Sequence, residues 1–249
     1  MSGGRDSRGA GYLSRLAGDI RRDAPEPTRG FAEALRGGRH VAVIGEVKRG
    51  SPSQGVIAAD ADVVETAVRY EAGGAAALSV LCAERDFGGS IEHLAAARSR
   101  VSLPALAKDF TIFPEQVARQ RLAGADAILV ILAMVTDNEA RRLIETAALL
   151  GMDALVETHD ERELERAVTL EAGLIGVNAR DLETLEIDRD RQLELLASLP
   201  ETTIGVAESG IGSRADVEAA RDAGADAVLV GTALMREPAL LAELVGVAR

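Results

Sequence analysis

From Val41 onward the chain alternates short unbroken apolar runs with longer segments in which apolar residues recur every three or four positions. The runs fall near 41–47, 75–81, 103–108, 126–132, 153–157, 174–178, 203–207 and 226–230. The amphipathic segments fall near 61–72, 91–99, 114–123, 137–150, 160–171, 189–198, 213–223 and 238–247. A strand covered on both faces reads as a continuous apolar run, whereas a helix on a sheet reads with a period of 3.6. Eight such strand–helix units predict an α/β fold, a single-domain (β/α)8 TIM barrel spanning 41–249. The competing arrangement is an open, doubly wound sheet. Ahead of the barrel, Tyr12 to Arg22 has helical spacing (Leu13, Leu16, Ile20) until Asp23-Ala24-Pro25-Glu26-Pro27 breaks it. Phe31 to Leu35 can form a second short helix. Residues 1–40 are therefore expected to be an arm and helical extension packing on the barrel.

An internal echo supports the repeat. Leu122-Ala-Gly-Ala-Asp126-Ala-Ile-Leu-Val130 returns as Asp222-Ala-Gly-Ala-Asp226-Ala-Val-Leu-Val230. The glycine suits a left-handed residue closing each helix before the turn into a strand.

Composition narrows the class. Hydrophobic residues make up 47% of the chain but aromatics only 2%, so branched aliphatics must fill the interior, as barrel layers require. A formal net charge of −12 speaks against nucleic-acid partners. It also means that an anionic substrate must be held by local donors. The single cysteine, Cys82, excludes an internal disulfide. No apolar run approaches membrane-spanning length, and Met1 to Ala10 lacks the apolar core of a signal peptide, so a cytoplasmic protein with no membrane partner is expected.

The candidate chemistry sits where the apolar runs end: Glu46 and Lys48 on the first strand, Lys108 on the third, Glu157 on the fifth, Asn178 on the sixth and Glu208 on the seventh. Glu46 and Lys48, two apart, point to the same side. Barrel active sites are assembled at this face from several strands, and burying five ionisable groups together costs several kcal/mol unless they are paired or used. Ser209, Gly210, Gly231 and Thr232 follow strands seven and eight, where barrels hold phosphate on backbone N–H groups, and Thr232 to Met235 reads as a short helix. Ser51 and Ser53 can add hydroxyl donors. His40, His93 and His159 read as turn or helix-surface residues. Glu161, Arg162, Glu163 and Glu165 read as a solvated helix face, and Cys82 as an inert thiol.

Gly45-Glu46-Val47-Lys48-Arg49-Gly50-Ser51-Pro52-Ser53, Phe87-Gly88-Gly89-Ser90, Leu103-Pro-Ala-Leu-Ala-Lys108-Asp109-Phe110, Leu155-Val156-Glu157, Asn178-Ala179-Arg180-Asp181-Leu182, Ala207-Glu208-Ser209-Gly210 and Val230-Gly231-Thr232 together resemble the indole-3-glycerol phosphate synthase family over about 29–240. The resemblance implies a phosphorylated small-molecule substrate, 1-(2-carboxyphenylamino)-1-deoxy-D-ribulose 5-phosphate, which closes to indole-3-glycerol phosphate with loss of CO2 and water. No metal or organic cofactor is implied. Family analogy makes Lys108 the acid for the ketone oxygen. Lys48, Glu46 and Glu157 remain candidates for the dehydration, with Glu157 preferred as base, and Glu208 orients the lysines. Asn178 and Arg180 would contact substrate carboxylate or hydroxyls, Ser51 would bind substrate and phosphate, and Phe87, Phe110 and Leu182 would wall the aromatic ring. A monomer or weak homodimer is expected. A sugar-phosphate isomerase of the same fold, or an idle barrel kept as a subunit, are the rival readings.

Overall fold

The computed structural model describes residues 17–24, 26–36, 38–51, 55–56 and 61–249. Eight parallel strands close into a barrel: β1 (Ala42–Val47), β2 (Ala77–Leu81), β3 (Ala105–Lys108), β4 (Ala127–Ile131), β5 (Asp153–Thr158), β6 (Leu174–Asn178), β7 (Ile204–Glu208) and β8 (Ala227–Val230). Each is hydrogen-bonded to its sequence neighbour, and β1 seals the ring by pairing with both β8 and β2. All eight predicted strands are present, and the doubly wound alternative is excluded by closure. Seven of the eight predicted helices follow their strands closely; the last breaks into a 3-10 turn at Pro238–Leu240 and a short helix at Leu241–Leu244. Proline, lacking an N–H and fixed in φ, starts that turn afresh rather than continuing the helix before it. A short helix at Glu84–Phe87 and a small ladder between Gly50–Ser51 and Gly55–Val56 were not legible in the pattern.

Side chains alternate along each strand, so one set of positions fills the barrel and the other meets the helices. Ile44, Leu106, Leu129, Leu155, Leu174, Val206 and Leu229 point inward and form a buried core separate from the outer layer. Burying each such side chain contributes about 1.5–3 kcal/mol. At the N-terminal end of the strands, the helix Phe31–Arg36 inserts Phe31 and Leu35, both 0% exposed, into this same core. The tail of the earlier predicted helix is helical over 17–23, while Tyr12 to Leu16 lie outside the described residues.

The echoed Ala-Gly-Ala-Asp motif ties neighbouring strands together. Gly124 and Gly224 take φ of 94° and 95°, the left-handed turn expected of them. The aspartates then reach sideways: Asp126 Oδ2 accepts the Ala105 N–H at 2.8 Å and Asp226 Oδ2 accepts the Gly205 N–H at 3.0 Å. Asp126 further accepts from Arg29 N–H (2.7 Å) and from the Arg98 guanidinium (2.8 and 3.1 Å), which also meets Glu26 at 2.6 Å. The segment 26–29 is thus fastened to the floor of the barrel by a buried ionic cluster.

Candidate functional site

The period of two that fills the barrel also builds its mouth. Two residues beyond inward Ile44, Leu106, Leu155, Gly176 and Val206 come Glu46, Lys108, Glu157, Asn178 and Glu208, and Lys48 follows Glu46 just past the end of β1. The apolar layer below excludes water from the charged layer above it, so these groups must satisfy one another.

They do so in two linked clusters. Lys48 Nζ lies 2.7 Å from Glu46 Oε1. Lys108 Nζ donates to Glu157 Oε2 at 2.9 Å and lies 3.3 Å from Glu208 Oε2. Asn178 Nδ2 donates to Glu157 Oε1 at 3.0 Å. Glu157 and Glu208 are each 1% exposed. Burial on its own would lower the Lys108 pKa, but Glu157, Glu208 and Glu46 outweigh it and hold the ammonium firmly charged. Glu157 is likewise opposed by burial, yet Lys108, His159 and Asn178 keep it below the usual carboxylate range. Glu208 goes the other way: burial raises it, Lys108 only partly compensates, and the Glu157 and Glu46 charges raise it further. Of the two carboxylates sharing Lys108, Glu157 is the one held toward the ionised form and Glu208 the one pushed toward holding a proton.

Glycines make room for this arrangement. A Cβ at Gly176 would stand 2.0 Å from Glu208 Oε1, and one at Gly231 would stand 2.2 Å from Glu46 Oε1 and 2.8 Å from Lys48 Nζ. Gly231 therefore borders the ion pair as well as the loop after β8. Ser209 and Gly210, with φ of 66° and 71°, form a left-handed turn after β7 next to that loop, and Thr232 begins the helix Thr232–Arg236. Phe87 and Phe110 meet at the rim with ring centroids 6.1 Å apart and planes tilted by 53°. Leu182 is exposed on the loop after β6. The Arg180 guanidinium donates to the Leu185 carbonyl at 2.9 Å, and its backbone N–H to Asn178 Oδ1 at 3.0 Å, so in this structure it braces its own loop. The Ser51 side chain and all of Ser53 lie outside the described residues.

Two expectations need correcting. His159 is not a surface residue, and Glu163 does not belong to a solvated face. His159 Nε2 lies 3.1 Å from Glu157 Oε1, and Nδ1 lies 2.9 Å from Glu163 Oε2; both side chains at 159 and 163 are 13% exposed. The signal was present in the spacing: His159 repeats the inward period of Leu155 and Glu157, and Glu163 is one helical turn further on. Cys82, in contrast, is buried, and burial pushes its thiol pKa up, as an inert cysteine requires. A cavity of about 520 Å³ flanks Ala32, Arg36 and Met152 near the floor, away from these charges.

The comparisons with known proteins speak to the family and the fold. The family model described as indole-3-glycerol phosphate synthase matches residues 12–245. A protein of that name from Mycolicibacterium vanbaalenii is 48% identical over 212 residues, covering 85% of this chain and 77% of the relative. One from Koribacter versatilis is 46% identical over 231 residues, covering 91% and 89%. A solved thiamine phosphate pyrophosphorylase from Pyrococcus furiosus superposes with a TM-score of 0.61 over 83% of this chain and 94% of that one, at 13% identity, which speaks to the barrel alone. With a match along most of its length and relatives nearly half identical to it, the chain belongs to the indole-3-glycerol phosphate synthase family.

Proposed function

We propose that the mouth of the barrel converts 1-(2-carboxyphenylamino)-1-deoxy-D-ribulose 5-phosphate to indole-3-glycerol phosphate, CO2 and water. The observation that carries this reading is the meeting of Lys108 with Glu157 and Glu208 beside the Lys48–Glu46 pair, contributed by four different strands. An acid and a base side by side over an apolar floor suit a reaction that needs both within one visit.

In the first step the ring carbon bearing the carboxylate attacks the ketone, and charge gathers on the ketone oxygen. An alkoxide is far more basic than an amine, so the Lys108 ammonium stabilises it and then gives up a proton. The new bond leaves the ring cationic at nitrogen, and the C–CO2 bond breaks with its electron pair restoring aromaticity. The Phe87–Phe110 wall favours this loss because a dispersed charge is less costly in apolar surroundings than a carboxylate. Dehydration then requires a proton on the departing hydroxyl, from Lys48, and removal of one from the adjacent carbon, by ionised Glu157. The backbone N–H groups of 209–210 and 231–232 would hold the phosphate. The charge arrangement disfavours the isomerase reading, which calls for a cysteine or aspartate where Glu46 and Lys48 stand, and an idle subunit would have no reason to keep buried charges.

Incubating the purified protein with the substrate and following indole fluorescence tests the reaction directly; absence of turnover would overturn it. Glu157→Gln keeps the shape and removes the base, and should lower kcat about 10²–10⁴-fold with KM little changed. A wild-type kcat would free Glu157 of that role. Gly231→Val should raise KM and also depress kcat, because its side chain must displace Glu46 and Lys48. A change in KM alone would separate the phosphate loop from the ion pair.

A further inference from the structure

The two carboxylates flanking Lys108 are nearly symmetric about it, at 2.9 and 3.3 Å, yet the chemistry needs one of them ionised. What distinguishes them lies on the side away from the lysine. Among the described residues Glu208 Oε1 is buried with no hydrogen-bond partner, whereas Glu157 Oε1 has Asn178 at 3.0 Å and His159 Nε2 at 3.1 Å. Asn178 is neutral, so the asymmetry of charge comes from His159. That ring is itself anchored from behind, since Glu163 Oε2 faces its Nδ1 at 2.9 Å and accepts the His159 backbone N–H at 2.8 Å. Glu163 is in turn fixed by the Asp160 cap on its own backbone N–H at 2.7 Å.

We infer that His159 is a positioning residue for the reaction: its imidazolium bridges Glu157 and Glu163 and selects Glu157, rather than Glu208, as the carboxylate that stays ionised. This rests on the assignment of Glu157 as the base. The groups facing the ring are Glu157 from β5 and Glu163 from the helix Glu161–Thr169, with Asp181 from the loop after β6 in electrostatic reach, Asp160 turned to the helix N-terminus and Lys108 beyond Glu157. The near neighbours are all acidic. Burial would favour the neutral ring, but the contacts with Glu157 and Glu163 outweigh it and push the pKa up to about 10. The Nε2–H is not aligned on the Glu157 oxygen, so this side of the bridge acts by charge rather than as a directed hydrogen bond. Oε1 is then committed to the frame, and Oε2, against Lys108, is the oxygen left for the substrate proton.

The chain holds three histidines, so ring ¹⁵N resonances can be assigned to His159 by their loss in His159→Gln. In the wild-type protein both His159 nitrogens should stay protonated through pH 8, with a midpoint near 10. In Glu163→Gln the midpoint should drop by about one unit or more, since one of the two anions holding the charge is gone. Steady-state kinetics then read the consequence. His159→Gln should lower kcat about 10–100-fold with KM within about two-fold, the scale of a misplaced catalytic group. The kcat deficit of Glu163→Gln should grow as pH rises through its own NMR midpoint, which a merely structural anchor would not produce. A wild-type His159 midpoint between 6 and 7.5 overturns the inference, as does a Glu163→Gln deficit that is flat across its midpoint or a His159→Gln kcat equal to wild type. Full turnover in Glu157→Gln overturns the base assignment and this inference together. An inactive Glu157→Gln beside a fully active His159→Gln overturns the inference alone.

Discussion

Replacing Lys108 with methionine should reduce turnover about 10³-fold or more while the barrel still forms. The side chain keeps its length and apolar stem but loses the charge that meets the developing alkoxide, and acid catalysis with electrostatic stabilisation accounts for a loss of this size. The variant also exposes an electrostatic consequence. Lys108 lies between Glu157 and Glu208, both almost wholly buried. Without it both carboxyls are pushed up, Glu157 losing the charge that lowers it most and Glu208 the ammonium that opposes its burial. A carboxyl whose folded pKa is raised above its unfolded value stabilises the fold when protonated and loses that contribution as pH rises through the folded pKa. Lys108→Met should therefore stand closest to wild type in urea denaturation near pH 5 and fall behind by pH 8. Undiminished turnover would remove Lys108 from the acid role; a stability gap that widens toward low pH would contradict the charge arrangement.

The largest stability effect is expected at the opposite end of the barrel. Asp126, 1% exposed, accepts four hydrogen bonds: two from the Arg98 guanidinium and one each from the Arg29 and Ala105 backbones. Asp126→Ala leaves a guanidinium that is 3% exposed facing an apolar gap, with Glu26 and the Pro27 carbonyl as its remaining partners. Breaking a buried ion pair from one side costs about 3–5 kcal/mol. Chemical denaturation should show a loss of that order, with kcat at low temperature close to wild type because the site is at the far end of the strands. A loss under about 1 kcal/mol would mean that the cluster is replaceable by water.

The strands were legible because a parallel barrel leaves each of them buried on both faces, so runs such as Ala127-Ile-Leu-Val-Ile131 are unbroken. The mouth was legible for a related reason: a charge two residues beyond an inward apolar residue has nowhere else to point, as with Leu155 and Glu157. His159 obeys the same rule, but an isolated histidine after a strand carries no mark of what will face it. Its two anions come from positions 157 and 163, joined only once the helix turns back over the strand end. The Asp126 cluster was hidden differently. Its partners Glu26, Arg29 and Arg98 are distant in sequence, and a floor cluster of charges looks like any surface charge run until the extension docks. Arg180 shows the limit for loops, since its guanidinium satisfies a nearby carbonyl that no spacing rule would single out.

Phe31 and Leu35 stopper one end of the barrel, and aliphatic layers occupy the interior above them. Among the described residues this leaves no tunnel through the molecule, so what arrives and what departs share a single doorway at the charged rim. Gas, water and the bulkier product must all leave by the route through which the next reactant comes. Traffic at that doorway, rather than bond-making, then becomes a natural place for turnover to be throttled, and viscosity would slow a throttle of that kind while leaving chemistry untouched.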